Sequence, residues 1–317
     1  MTSSHGLARI PKWQHAFLER HRLGTDYLET ALPWFTPVTH ALVKLQRKAN
    51  RPILVALNGC QGSGKTTASD YLCGALTEEQ GLNTVALSLD DFYLTHSDRR
   101  ALAASTHPLL ATRGVPGTHD MSLLRLTLEQ LLDTHSNKPI AIPRFDKSTD
   151  DRRPLSEWDR IDTPVQCVFL EGWCLGAKPE SADTLAEPVN DLERDEDSRV
   201  VWRDYYNAFL ASHFLPLYPL FDQWIMLQAP SFDCVFKWRR EQERKLAASL
   251  SPEKAGNLMN DDALRRFIQH YERITQNCLD DLPQTVNHLF NLDGQRRITA
   301  YSYRTSDKPQ SLVYPGI

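Results

Sequence analysis

A chain of 317 residues with 41% hydrophobic and 24% charged residues is long enough for one large domain or two modest ones, and its composition is globular rather than disordered or fibrous. A formal net charge of −4 argues against nucleic acid or anionic lipid as the main partner, yet a few local cations would suffice for a small anionic substrate. The opening MTSSHGLARI lacks the apolar run of a secretory signal, and no stretch approaches the roughly 20 apolar residues of a membrane helix. Six scattered cysteines (Cys60, Cys73, Cys167, Cys174, Cys234 and Cys278) form no C-x-x-C pair and read as reduced thiols. The expectation is a cytoplasmic protein without a membrane partner; its oligomeric state is not legible in the sequence.

In chain order, residues 11–48 read as helices, so that 1–50 form an N-terminal helical extension on a main domain spanning 51–317. Thr36 and Pro37 supply a cap and a first-turn proline, after which Val38, Leu42 and Leu45 recur at helical spacing. Residues 53–57 are a continuous apolar run of strand length, as in a strand buried on both faces of a parallel sheet. The same signature returns at 84–89, 166–170, 224–227 and 289–292, with helical segments at 65–79, 121–134, 203–215, 235–249 and 261–279. This alternation predicts an α/β fold, a mostly parallel sheet between helices joined by right-handed crossovers. The acid-, Pro- and Ser-rich stretch 176–199 reads from composition as a solvated loop.

Directly after the first strand, residues 58–67 read NGCQGSGKTT. Gly59, Cys60, Gln61, Gly62, Ser63, Gly64, Lys65 and Thr66 fit G-x-x-x-x-G-K-[ST] in full, and Thr67 follows on the predicted helix. Glycines let successive backbone N–H groups turn inward around a phosphate. Lys65 can reach the β- and γ-phosphates and the Thr66 hydroxyl can bind Mg²⁺, so the cofactors are ATP and Mg²⁺. The strand at 84–89 ends in Asp90-Asp91-Phe92-Tyr93, and that at 166–170 ends in Glu171-Gly172-Trp173. Both place carboxylates at the C-terminal edge of the sheet, where ligands of such folds lie. Phosphoryl transfer needs one acid near the metal and another to take a hydroxyl proton. Capping the next turn is the structural alternative for each.

With these residues in view, the chain resembles the P-loop kinases of small metabolites: uridine kinase, phosphoribulokinase and bacterial pantothenate kinase. More specifically it resembles the D-glycerate 3-kinase family. The resemblance rests on SLDDFYLTHSDR (88–99), RGVPGTHD (113–120), PRFDKSTDDR (143–152), FLEGWCLG (169–176), EPVNDLERDED (187–197), APSFDCVFKWRREQE (229–243) and MNDDALRRFIQHY (259–271), in family order. It implies a P-loop NTPase fold with a helical lid over roughly 176–250, and ATP-dependent phosphorylation of D-glycerate to 3-phosphoglycerate. By the same resemblance Asp90 is the base toward the acceptor hydroxyl, with Asp91 as the alternative. Lys65 and Arg239 meet the transferring phosphate, and Arg240 neighbours Arg239 on the lid helix. Glu171 stands near the metal with Thr66 and Asp90. Arg113, His119 and Asp120 fall on the acceptor side. A carboxylate acceptor calls for cations, drawn from Arg113, Arg144, Lys147 and Arg152, although each equally suits a surface charge or an internal ion pair. Asp91, Tyr93 and His119 complete the expected substrate set.

One departure from the family concerns the loop between FDKS and DR, often longer and Gly-containing. Here the chain passes directly through Thr149, Asp150, Asp151 and Arg152. Two other readings stay open: a same-fold kinase acting on pantothenate or a nucleoside, and an NTPase that hydrolyses without an acceptor. A guanine switch would need N-K-x-D, and Asn137-Lys138-Pro139-Ile140 lacks the aspartate.

Overall fold

The computed structural model describes residues 10–135, 138–162, 164–249, 260–305 and 308–312. The first nine residues of the expected extension, Asn137, Met259 and the lid limit at residue 250 lie outside the described residues.

Two helices, α1 (Lys12–His21) and α2 (Asp26–Ala49), precede β1 (Ile53–Gly59), α3 (Lys65–Gly74) and β2 (Thr84–Ser88). After α4 (His96–Ser105) and α5 (Met121–Leu132) come two small hairpins. In one, β3 (Ile140–Ile142) pairs with β6 (Asp159–Ile161); nested inside it, β4 (Phe145–Asp146) pairs with β5 (Asp151–Arg152). The chain returns through β7 (Cys167–Gly172), then α6 (Ala182–Ala186), α7 (Asp191–Glu196) and α8 (Val201–Phe209). It ends with β8 (Gln223–Gln228), α9 (Asp233–Ser249), α10 (Asp261–Asp281), β9 (His288–Leu292), β10 (Ile298–Thr305) and β11 (Lys308–Leu312).

The main sheet has the order β11-β10-β9-β8-β1-β7-β2. From β9 to β2 every pairing is parallel, and β10 and β11 add an antiparallel edge. The mostly parallel sheet read from the sequence is therefore present. Its central strands β1 and β7 are buried at every position, with apolar clusters on both faces. Glu171 is level with Leu57 of β1 and Ser88 of β2, so the C-terminal ends of three adjacent strands come together.

Three expectations need correcting. Thr36 and Pro37 do not start a helix, because α2 runs unbroken past Pro33 and Pro37. The Thr36 hydroxyl donates to the Leu32 carbonyl (2.6 Å), and Phe35, Val38 and Leu42 are buried, with Phe35 edge-on to Phe290 of β9. That packing outweighs the cost of interior prolines, about 3 kcal/mol each.

Residues 176–199 are not a solvated loop either. They carry α6 and α7, and Glu193 and Asp197 are 1% and 2% exposed. Glu193 accepts from Arg273 at 2.9 and 2.6 Å, and Asp197 from Arg203 at 2.9 Å. Each buried acid has a cationic partner, Arg203 six residues on from Asp197 and Arg273 eighty residues on from Glu193, a pairing that composition cannot reveal. Finally, β10 was not expected, and the helical segments at 65–79 and 203–215 each end in a π-helical turn, at 75–79 and 210–214.

Candidate active site

The glycine-rich loop leaves β1 and enters α3, as the sequence pattern requires. Gly62 (φ +81°) and Gly64 (φ +91°) adopt the left-handed backbone that glycine tolerates. A Cβ on Gly62 would lie 2.7 Å from Cβ of Trp238 on α9, so loop and helix touch at backbone distance. Asn58 at the end of β1 donates to the carbonyls of Trp173 and Leu175 (3.2 and 2.7 Å), tying the loop to the EGWCLG segment. The Ser63 hydroxyl and the Gln61 amide are buried without a hydrogen-bond partner among the described residues, so polar groups of the cradle stand ready for a ligand.

Thr66 and Glu171 meet as expected of a metal site. The Thr66 hydroxyl donates to Glu171 Oε1 at 2.9 Å, and Oε2 lies 3.7 Å from Lys65 Nζ, beyond hydrogen-bond range. Two hard oxygens, one from a buried carboxylate with an unfilled lone pair, sit beside the phosphate loop; that donor set fits Mg²⁺. Asp90 is turned to the other side, with Oδ2 accepting from Lys147 Nζ (2.5 Å) and Oδ1 from the Tyr93 hydroxyl (3.2 Å).

One pocket joins Gln61, Lys65 and Asp90 with Tyr93, Arg113, Lys147 and Arg239. Its remaining walls are Trp173, Phe267 and Tyr271, to which the sequence reading gave no role. Phe267 and Tyr271 are four residues apart on α10, one helical face. Both lie in the MNDDALRRFIQHY segment, and that spacing was the available signal. Tyr271 also donates to the Arg113 carbonyl at 3.0 Å. Arg113 is further fixed by an ion pair with Asp150, whose other oxygen accepts from the fully buried Arg99 at 2.6 Å. Asp150 therefore gives the short FDKSTDDR loop a definite task that the sequence did not disclose.

Other expected residues fall outside this pocket. Asp91 accepts from the Phe145 backbone N–H (3.0 Å) and from Arg144 (2.7 Å), so both oxygens hold the β4 strand in place. Arg144 is also bonded to Asp159 at 2.6 Å, and Arg152 spans the Tyr93 carbonyl and Asp120. His119 is buried and stacked on Tyr93 with ring centroids 4.4 Å apart, behind the pocket wall. Of the adjacent arginines on α9, Arg239 faces the pocket above the Phe267 ring (5.8 Å), whereas Arg240 pairs with Asp261 at 2.6 Å.

The electrostatics follow from these distances. Burial alone would raise the Asp90 carboxyl, but Lys147 and Lys65 outweigh it and hold it well below the usual carboxylate range. Burial would lower Lys65, and Glu171 and Asp90 reverse that, so its ammonium stays charged. Burial raises Asp91, with only partial relief from Phe145 and Arg144. Burial pushes the His119 imidazole down to about 4, which leaves it neutral near pH 7. The Cys60 thiol in the phosphate loop is pushed up to about 12 by burial and is a thiol, not a thiolate.

No protein-family model matches the chain. It is 31% identical over 262 residues to an uncharacterized kinase, mug58, of Schizosaccharomyces pombe, covering 80% of this chain and 87% of that one. It is 29% identical over 230 residues to the chloroplastic D-glycerate 3-kinase of Arabidopsis thaliana, covering 69% and 46% respectively. Among solved structures, a D-glycerate 3-kinase from Cryptococcus neoformans superposes with a TM-score of 0.69 at 26% identity, covering 91% of this chain and 100% of that one. Among the described residues, no helix is long and apolar enough to cross a membrane.

Proposed function

The chain belongs to the D-glycerate 3-kinase family of ATP-dependent P-loop kinases, and from that premise we propose that it transfers the γ-phosphoryl group of ATP to a hydroxyl of D-glycerate, giving 3-phosphoglycerate. The observation that carries the reading is the shared pocket. Asp90 stands between the phosphate-loop lysine and three further cations, Arg113, Lys147 and Arg239. Such a site suits a small acceptor that brings a carboxylate and a hydroxyl together. It suits an uncharged nucleoside less well.

In this reading the loop amides and Lys65 hold the β- and γ-phosphates. Thr66 and Glu171 would hold Mg²⁺, which when bound neutralises charge on the phosphate oxygens. Asp90, ionised at neutral pH, orients the acceptor hydroxyl and takes its proton. Tyr93 and Lys147 fix the carboxylate for that role. Arg113, aimed by Asp150 and Tyr271, receives the acceptor carboxylate. Arg239 faces the incoming phosphoryl oxygens from α9, the part of the expected lid that lines the site. Trp173, Phe267 and Tyr271 limit water, so that transfer competes with hydrolysis.

The test is ADP release with Mg-ATP against D-glycerate, L-glycerate, pantothenate and uridine. Stimulation by D-glycerate alone is the expected result. Stimulation by another compound would replace the acceptor, and turnover indifferent to all four would sink the glycerate assignment.

A further inference from the structure

The N-terminal extension has no part in the chemistry described so far, yet its first helix lies on the helix that carries the phosphate loop. The Trp13 ring fills the place beside Gly74 of α3, where a Cβ would lie 2.7 Å from Cε3 of the indole. Phe17 packs edge-on to Tyr71, with centroids 5.4 Å apart. At the end of α1, His21 crosses to the first turn of α3. Its Nε2 is 2.7 Å from Asp70 Oδ2, and its Nδ1 is 3.4 Å from Thr67 Oγ1. Arg20 donates to the same Asp70 carboxylate at 2.7 Å.

The polarity of this chain is fixed by chemistry. Burial raises the Asp70 carboxyl, but His21 and Arg20 outweigh it and keep it below the usual range, so it is an acceptor only. The imidazole Nε2 therefore carries the hydrogen. In the neutral ring Nδ1 is then an acceptor, and the Thr67 hydroxyl donates to it. Thr67 and Asp70 are three residues apart and face the same side of α3.

We propose that His21 is a positioning residue of the nucleotide site. Asp70 sets the ring, the ring holds the Thr67 hydroxyl, and that contact fixes the first turn of α3, whose free backbone N–H groups meet the phosphates. The inference rests on Thr67 belonging to the phosphate cradle and is independent of which acceptor the enzyme uses. It makes α1 part of the ATP site rather than only a cover for α3.

The test is calorimetric binding of Mg-ADP to the full chain, with melting temperatures measured alongside. One hydrogen bond of this kind corresponds to a change of roughly three- to tenfold in Kd. His21→Ala is expected to weaken Mg-ADP by that factor. His21→Gln, whose amide can both donate to Asp70 and accept from Thr67, should recover most of the affinity. Thr67→Val should weaken binding similarly, and the double variant should be no worse than the weaker single one. Unchanged affinity in His21→Ala, or losses that multiply in the double variant, would overturn the proposal. So would a loss accompanied by a lowered Tm and not recovered by glutamine. Unchanged affinity in Thr67→Val would remove its premise and overturn it as well.

Discussion

Asp90→Asn separates the chemistry of the pocket from its architecture. The amide is isosteric, so the Tyr93 hydroxyl bond at 3.2 Å can persist. Lys147 loses its 2.5 Å partner, but its side chain is 57% exposed and water replaces the carboxylate, so stability changes by about 0–1 kcal/mol. Lys65 keeps Glu171 at 3.7 Å, which leaves the phosphate side intact. What disappears is the proposed proton acceptor. General-base catalysis is typically worth about 10²–10⁴ in rate, or roughly 3–5 kcal/mol of barrier. The expected result is a fall of that size in kcat by ADP release, with KM for Mg-ATP within about threefold of wild type and Tm shifted by no more than ~3 °C. Asp91→Asn is the comparison. It weakens the charge-assisted bonds to Phe145 and Arg144, so it is expected to cost about 1–3 kcal/mol of stability while kcat falls less than tenfold. A kcat loss under tenfold for Asp90→Asn, or a larger loss for Asp91→Asn at full stability, would refute the assignment of the base.

Further expectations concern the framework. Gly62→Ala places a methyl 2.7 Å from Trp238 Cβ at φ +81°, so ATP affinity should fall at least tenfold by calorimetry; wild-type affinity would mean the loop and α9 do not meet in solution. Arg113→Ala should raise KM for the acceptor about tenfold or more with KM for Mg-ATP unchanged, and an unchanged acceptor KM would remove Arg113 from the acceptor site. Glu193→Ala should destabilise by roughly 3–5 kcal/mol in urea unfolding, because Arg273 stays buried; a change under 1 kcal/mol would show that water reaches it. Burial lowers His119 and His270 to about 4 and His288 to about 3. Each folded value lies below the unfolded one, so the unfolded chain takes up protons first as pH drops below about 6.5. Stability is therefore fully present above that pH and lost on the way to about pH 4, visible as a falling Tm; a flat Tm from pH 6.5 to 4.5 would contradict the burial of these rings.

The sequence disclosed what is local. The phosphate loop is a contiguous motif between a strand and a helix, and the parallel strands betray themselves as short apolar runs. Thr66 and Glu171 could be paired because one opens the helix after β1 and the other ends β7, the strand beside it in the sheet. Contacts across long separations were not legible. Asp90 and Asp91 are equivalent in sequence, and only Lys147 and Phe145, more than fifty residues on, turn one into the pocket and the other into the β4 strand. EPVNDLERDED reads as solvent-facing until Arg273, eighty residues on from Glu193, is seen to reach into it. His21 carries no motif at all; its relation to Thr67 exists only because α1 docks on α3.

That pattern bears on how specificity is built in this fold. Apart from Arg239 of α9, the groups expected to face phosphate come from one loop and the start of α3, so they are held by local geometry. The groups expected to face the acceptor come from three separate segments: Asp90 after β2, Arg113 before α5 and Lys147 in the β4–β5 turn. Each is aimed by a partner from elsewhere, as Asp150 and Tyr271 aim Arg113. A change in any supporting partner can thus move the acceptor cations without touching the nucleotide loop. On this argument the variants that alter acceptor choice should cluster at Asp150, Tyr271 and Tyr93, and kinetic profiling of substitutions there should shift acceptor KM while KM for Mg-ATP holds.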